Sequence, residues 1–149
     1  MFDELKKLFA SKGRSEKSAG VEDHVVSIAA LLVEAAIADE RYTENERDVI
    51  SRLLVEAFGV DTAEVAAILT EAETRQKEAV DLYTFIRDVK TLTPDEKIVL
   101  IESLWRVILS DGEKDAYEDM LVRRVCGLIH VSDVDSGLAR RRVQTALSR

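Results

Sequence analysis

Two stretches of the chain carry an aspartate and, seven residues later, a glutamate in the same setting: Asp39 and Glu46 in IADERYTENERDVI, and Asp111 and Glu118 in LSDGEKDAYEDMLV. Paired carboxylates can work as general acid and base, but only where burial drives their pKa values apart. They can instead hold a hard cation, because like charges held close repel until a cation or proton intervenes. In each stretch the glutamate lies four residues ahead of an apolar position, Ile50 or Val122. On a helix that spacing puts its side chain on the core-facing stripe, toward the end of the preceding helix. Two carboxylates then converge at one helix junction, and the arrangement occurs twice. Calcium or magnesium fits such a donor set best, with water and loop carbonyls completing the shell, at an affinity on the order of 10⁻⁴ to 10⁻³ M. The competing reading is that each glutamate only bonds back to the amide that caps its own helix.

The elements that must position these residues are helices. From Val21 to Ala38 the sequence is apolar on nearly every side, which makes a helix buried on most faces. Thr43 with Glu46 three residues on forms a capping box for a second helix, whose inner face is Val49, Ile50, Leu53, Leu54, Ala57 and Phe58 and which Gly59 ends. Asp61 and Glu64 repeat that signature ahead of Val65, Ile68 and Leu69, and another helix crosses Leu82, Phe85, Ile86 and Val89. Thr93, Pro94, Asp95 and Glu96 place cap, first-turn proline and reciprocal glutamate in their preferred positions. The helix they open carries Ile98, Ile101, Leu104, Trp105, Ile108 and Leu109 at helical spacing. Further helices are expected from about Asp115 to Ile129 and from about Asp135 to Leu147. No segment alternates with period two, so the fold class is all-α: a compact bundle of seven helices after residue 20.

Sliding the chain on itself by 72 residues lays Ala38 to Glu46 over Ser110 to Glu118, Leu32 over Leu104, Ile50 over Val122, Leu53 over Val125 and Asp61 over Asp133. Each copy reads as a buried helix, an aspartate at its end, a short polar loop and a capped helix with glutamate in its first turn. Two copies imply a pseudo-twofold bundle, since a solenoid needs three or more units. On IADERYTENERDVI and LSDGEKDAYEDMLV, and their order in a helical domain of this size, residues 21–147 resemble the TerB-like (tellurite-resistance protein B) family. The resemblance implies an all-α fold with acidic sites for metal ions and a link to metal or oxyanion stress; it implies no reaction. One departure stands out, Glu40 in the first copy where the second has Gly112.

Glu34 and Arg106 are repeat equivalents on the two most buried helices. They could pair across the bundle, each could reach solvent at its edge, or Glu34 could lean toward Asp39 as an additional ligand. An EF-hand is excluded: Asp111, Glu113 and Asp115 mimic its first three ligands, but its sixth and twelfth positions hold Ala116 and Val122 instead of glycine and glutamate. His24, His130 and Cys126 are scattered and give no ligand-spaced pair for zinc, iron or copper. No nucleophile motif or glycine-rich phosphate loop is present, so the chain is expected to be non-enzymatic, with no catalytic residues and no cofactor beyond a divalent cation.

Residues 1–20 form an N-terminal segment ahead of the domain at residues 21–149. Phe2, Leu5, Leu8 and Phe9 at helical spacing beside Lys6 and Lys7 read as a short amphipathic helix on a polar tether. It could dock onto the core or make a reversible contact with a membrane surface or partner. The formal net charge is -8, yet the first twenty residues hold five basic and three acidic side chains and the last ten hold four arginines and no acid. Residues 21–139 therefore carry 12 basic and 26 acidic side chains, a surface that repels phosphate backbones and argues against nucleic-acid binding. A lone cysteine and the lack of a signal or an apolar run of about 18 residues point to the cytoplasm. Two functions follow: a cation-binding module, or an acidic docking surface for basic protein partners in which no ion matters.

Overall fold

In the computed structural model the described residues are 19–37, 42–110 and 116–148. Among them are seven helices: α1 (Ala19–Ile37), α2 (Glu44–Glu56), α3 (Val65–Glu78), α4 (Tyr83–Val89), α5 (Pro94–Leu109), α6 (Ala116–Ile129) and α7 (Asp133–Leu147), and the described residues contain no strand. The chain folds as an all-helical bundle, as its periodicity requires. Residues 2–9 and most of the tether lie outside the described residues, and so do Asp39 and Asp111. No described helix is long and apolar enough to cross a membrane.

The bundle is organised by its two most apolar helices. On α1 every residue from Val25 to Val33 is buried, and on α5 so is every residue from Val99 to Trp105. A helix with no polar face has to be covered on all sides. Accordingly α1 packs on α2, α3, α4 and α5, while α5 packs on α1, α2, α6 and α7. Ser27 Oγ donates to Asp88 Oδ2 at 2.6 Å, tying α1 to the end of α4.

Helix ends follow from local chemistry, and three expectations are corrected. Both threonine caps form: Glu46 N–H donates to Thr43 Oγ1 at 3.2 Å and Thr43 N–H to Glu46 Oε1 at 3.0 Å, with the same pair at 3.2 and 2.8 Å for Thr93 and Glu96. Each such cap contributes about 1 kcal/mol. The box expected at Asp61 and Glu64 does not form. Asp61 Oδ1 accepts from Ala63 N–H, two residues on, while the N–H groups of Glu64 and Val65 donate to its carbonyl oxygen. The short carboxylate satisfies the nearer amide, so α3 starts at Val65 without a side-chain cap. The second correction is on α5, where Ile98 is only half-buried and Glu102, one turn on, is buried in its stead. The start of α7 is two residues earlier than expected, at Asp133, because Ser132 Oγ accepts from Asp135 N–H at 3.1 Å.

Gly59 ends α2 in the left-handed conformation, φ 70°, which lets Val60 N–H reach the Leu54 carbonyl at 3.0 Å. At the end of α6 the same service is performed by a histidine: His130 has φ 66°, and Val131 N–H donates to the Cys126 carbonyl at 2.9 Å. This is a Schellman closure on a residue with a Cβ, which carries a steric cost that glycine escapes. Replacing His130 by Gly should therefore raise the stability, by up to about 1 kcal/mol once the added freedom of the unfolded chain is offset. Urea unfolding at neutral pH checks it; a loss of stability would mean that the imidazole contributes more than its backbone costs.

Candidate functional site

The first junction is described on its α2 side. Glu46 is 6% exposed and its Oε1 accepts from both the amide and the hydroxyl of Thr43, the latter at 3.1 Å. The capping reading is thus realised for one oxygen, and no described residue donates to Oε2. Just ahead of the cap, the Tyr42 hydroxyl donates to Glu73 Oε2 on α3. Arg47, in the first turn of α2, donates from Nε to the same oxygen at 2.8 Å, and its Nη2 lies 3.4 Å from Glu73 Oε1 and 3.3 Å from Thr70 Oγ1. Tyrosine, arginine and carboxylate thereby lock the start of α2 onto α3.

The charges in this cluster are mutually adjusted. Burial, then the hydrogen bond to Glu73, pushes the Tyr42 phenol well above its ordinary range, so it stays a donor even in alkaline solution. Burial works to raise the Glu73 carboxyl, but the hydrogen bonds from Arg47 and Tyr42 and the charge of Arg47 outweigh it and hold that carboxyl below its usual value. Neither the Tyr42 nor the Arg47 contact to Glu73 was visible in the sequence, because the partners lie 31 and 26 residues apart.

Glu34 does not pair with Arg106. Its Oε2 accepts from Gln76 Nε2 on α3 at 2.6 Å, and it lines a groove of about 790 Å³ with Ile37, Val80, Met120 and Arg124. Arg106 instead lines a separate cavity of about 270 Å³, with Arg52 and Glu56 of α2 and Leu147 of α7. The two side chains leave their helices toward different neighbours, α3 for one and α2 for the other. Val80 and Met120 are 100% and 65% exposed, giving the groove an apolar rim.

At the second junction Glu118 falls on α6, but its side chain, like Asp111, is outside the described residues. What surrounds α5 there is a polar seam that the sequence reading missed. Glu102 is 1% exposed and accepts from Arg142 Nε of α7 at 2.5 Å, with Arg142 itself 41% exposed. One turn on, Trp105 Nε1 donates to Ser136 Oγ at 3.2 Å, and the Arg140 guanidinium sits 5.0 Å from the indole centroid. Cys126 is buried beside Ser136, and burial pushes its thiol up. A glutamate amid apolar neighbours, with an arginine run Arg140 to Arg142 that has few acids within reach on its own helix, was the available signal.

Among the described residues no group of three or more His, Cys, Asp or Glu is assembled as a metal cage. The residues of the first junction that are described supply one buried carboxylate of the hard-oxygen type that calcium or magnesium prefers.

Two measurements follow from this geometry. Arg142→Ala should cost about 1–3 kcal/mol by stranding the Glu102 carboxylate, less than for a fully buried pair because water reaches the arginine. The double change Glu102→Met with Arg142→Met should recover most of that loss, and equal unfolding midpoints for the single and double variants would contradict the pairing. For Glu73 the folded-state pKa is depressed, so its stabilisation is present above the unfolded carboxylate value and is lost as pH falls through the folded one. Between about pH 5 and about pH 3, Glu73→Gln should therefore show a shallower decline in urea midpoint than the unaltered chain. Parallel declines would remove Glu73 as a contributor.

The family model described as tellurite resistance protein TerB matches residues 26–141. Comparison with curated proteins and with solved structures found no significant match.

Proposed function

Since this chain belongs to the tellurite resistance protein TerB family, we propose that it is a non-enzymatic acidic module that takes a divalent cation at each of two helix junctions, Asp39 with Glu46 and Asp111 with Glu118. Binding there would stabilise the junctions and let the bundle respond to metal or oxyanion stress. The observation that carries this reading is Glu46, a carboxylate buried at the start of α2 and fixed there by the amide and hydroxyl of Thr43. Supporting it is the repetition of the same aspartate and glutamate, at the same spacing and in the same setting, 72 residues on. The donors are all hard oxygens, which favour calcium or magnesium over softer metals. The hydrogen bond from Gln76 already engages Glu34, and the site as proposed does not require it as a further ligand.

A second reading, an acidic docking module for basic protein partners, is favoured by one feature: the groove beside Glu34, where Val80 and Met120 are exposed. In that case no ion matters to function.

Titration of calcium, magnesium or terbium(III) into the full chain separates the two. At a hundredfold excess over Kd a single site adds about 2.7 kcal/mol, enough to raise Tm by several degrees. Asp39→Ala and Asp111→Ala should each remove part of that rise and the double variant all of it. Trp105, buried on α5 ahead of Ser110, offers an emission signal for the second junction. A saturating ion that moves neither Tm nor emission of the unaltered chain would leave the docking reading.

A further inference from the structure

The inner face of α7 is committed to α5. Glu102 accepts from Arg142, Trp105 donates to Ser136, and the Arg140 guanidinium lies over the indole ring, so the helix cannot roll about its axis without losing one of them. Held in that rotation, α7 turns outward a stripe of Val134, Gly137, Leu138 and Arg141, spaced three and four residues apart. Val134 is 72% exposed and Leu138 47%, and one helical turn separates them, so they form one apolar patch. The fold does not demand that patch. At the equivalent positions of α3, 72 residues earlier, the exposed sites carry Thr62 and Ala66.

Gly137 sits within this face. A glycine inside a helix weakens it relative to alanine, and its ordinary explanation is a neighbour that leaves no room for a side chain. No such neighbour exists in the chain: a Cβ at Gly137 would meet no atom of any other described element within 4 Å. The notch opens to solvent between two large apolar side chains, where an incoming helix can use it. Charge is sorted along the same stripe. Asp133 and Asp135 flank Val134 at one end and Arg141 stands at the other, all three exposed and none in an ion pair among the described residues.

We propose that the outer face of α7 is the contact between two copies of this chain, packed antiparallel about a twofold axis. An isologous contact needs a surface complementary to itself, and one register makes this stripe so. With the axis passing midway between residues 137 and 138, Leu138 of each copy stands over the other's glycine notch. The stem of each Arg141 then covers the other's Val134, and its guanidinium reaches the acids on either side, Asp133 and Asp135. A parallel arrangement would set acid against acid and arginine against arginine. One helix face buries less than the roughly 1,200 Å² at which standard interfaces begin, so the dimer belongs to the weak, concentration-dependent class. The proposal stands apart from the cation reading and uses none of its residues.

Sedimentation equilibrium of the full chain from about 10 μM to about 1 mM covers the range of weak association. The mass should rise from 16.7 kDa toward twice that value. Gly137→Met fills the notch, and it should weaken association about tenfold or more. Its Tm in dilute solution should hold or rise, since the helix loses a glycine and gains no clash. Leu138→Arg should weaken association to a similar degree, and Arg141→Glu should do so most at low salt, where like charges repel unscreened. A chain that stays monomeric throughout the range overturns the proposal, as does a dimer whose affinity is the same in Gly137→Met and Leu138→Arg as in the unaltered chain. Association lost in Met120→Gln but kept in Gly137→Met would put the contact at the groove beside Glu34 and also overturns it. So does a lowered Tm for Gly137→Met, which would mean that the fold itself needs the glycine.

Discussion

The contact between α1 and α5 is the constraint from which the rest follows. Two helices that are apolar on almost every face cannot each lie on a surface, so each takes the other as one neighbour and recruits shorter, half-polar helices for the remaining sides. Burial of that kind is roughly proportional to apolar area and has no preferred direction. It makes the chain collapse but does not by itself say how the covering helices should be turned. Direction comes from the polar groups carried into the bundle: Ser27 with Asp88, Glu102 with Arg142, Trp105 with Ser136, and Tyr42 and Arg47 with Glu73. Each joins helices from different parts of the chain, and a rotated or shifted helix would leave one of them unmet at a cost in desolvation.

How much of this could be read in advance depended on the distance over which each interaction acts. The boxes at Thr43 and Thr93 are local, three residues across, and were legible because amide and carboxylate meet within one turn whatever the rest of the chain does. Asp61 shows the limit of that locality, since its side chain had a nearer amide available and took it. Helix number and the buried character of α1 and α5 were legible because periodicity integrates over many residues. Glu102 was not, because one acid in an apolar helix looks the same whether it breaks the surface or faces an arginine forty residues away. Of the candidate site, the sequence displayed the repeated aspartate and glutamate, and the structure locates Glu46 at the core-facing start of α2. What could not be read was the cluster on α3, since only the way α3 lies against α2 brings Glu73 to Tyr42.

The two halves are thus alike in pattern and unlike in support. In the first, a tyrosine and an arginine draw the beginning of α2 onto the helix that follows it; in the second, Arg140 and Arg142 of the last described helix reach back to Trp105 and Glu102 on α5. Similarity of the repeated carboxylates says little about similarity of behaviour when the contacts around them differ this far.

The pairing of Glu102 with Arg142 also bears on how the molecule is made. The acid sits in the middle of α5 and its partner on the last described helix, so a chain growing from its N-terminus presents the carboxylate some forty residues before anything can neutralise it. Until α7 has left the ribosome, the helix at the heart of the bundle holds an unmatched negative charge on a face meant for packing, and closing the core early is disfavoured. Packing around the middle of α5 is completed only once α7 is in place, with Arg142 as its keystone.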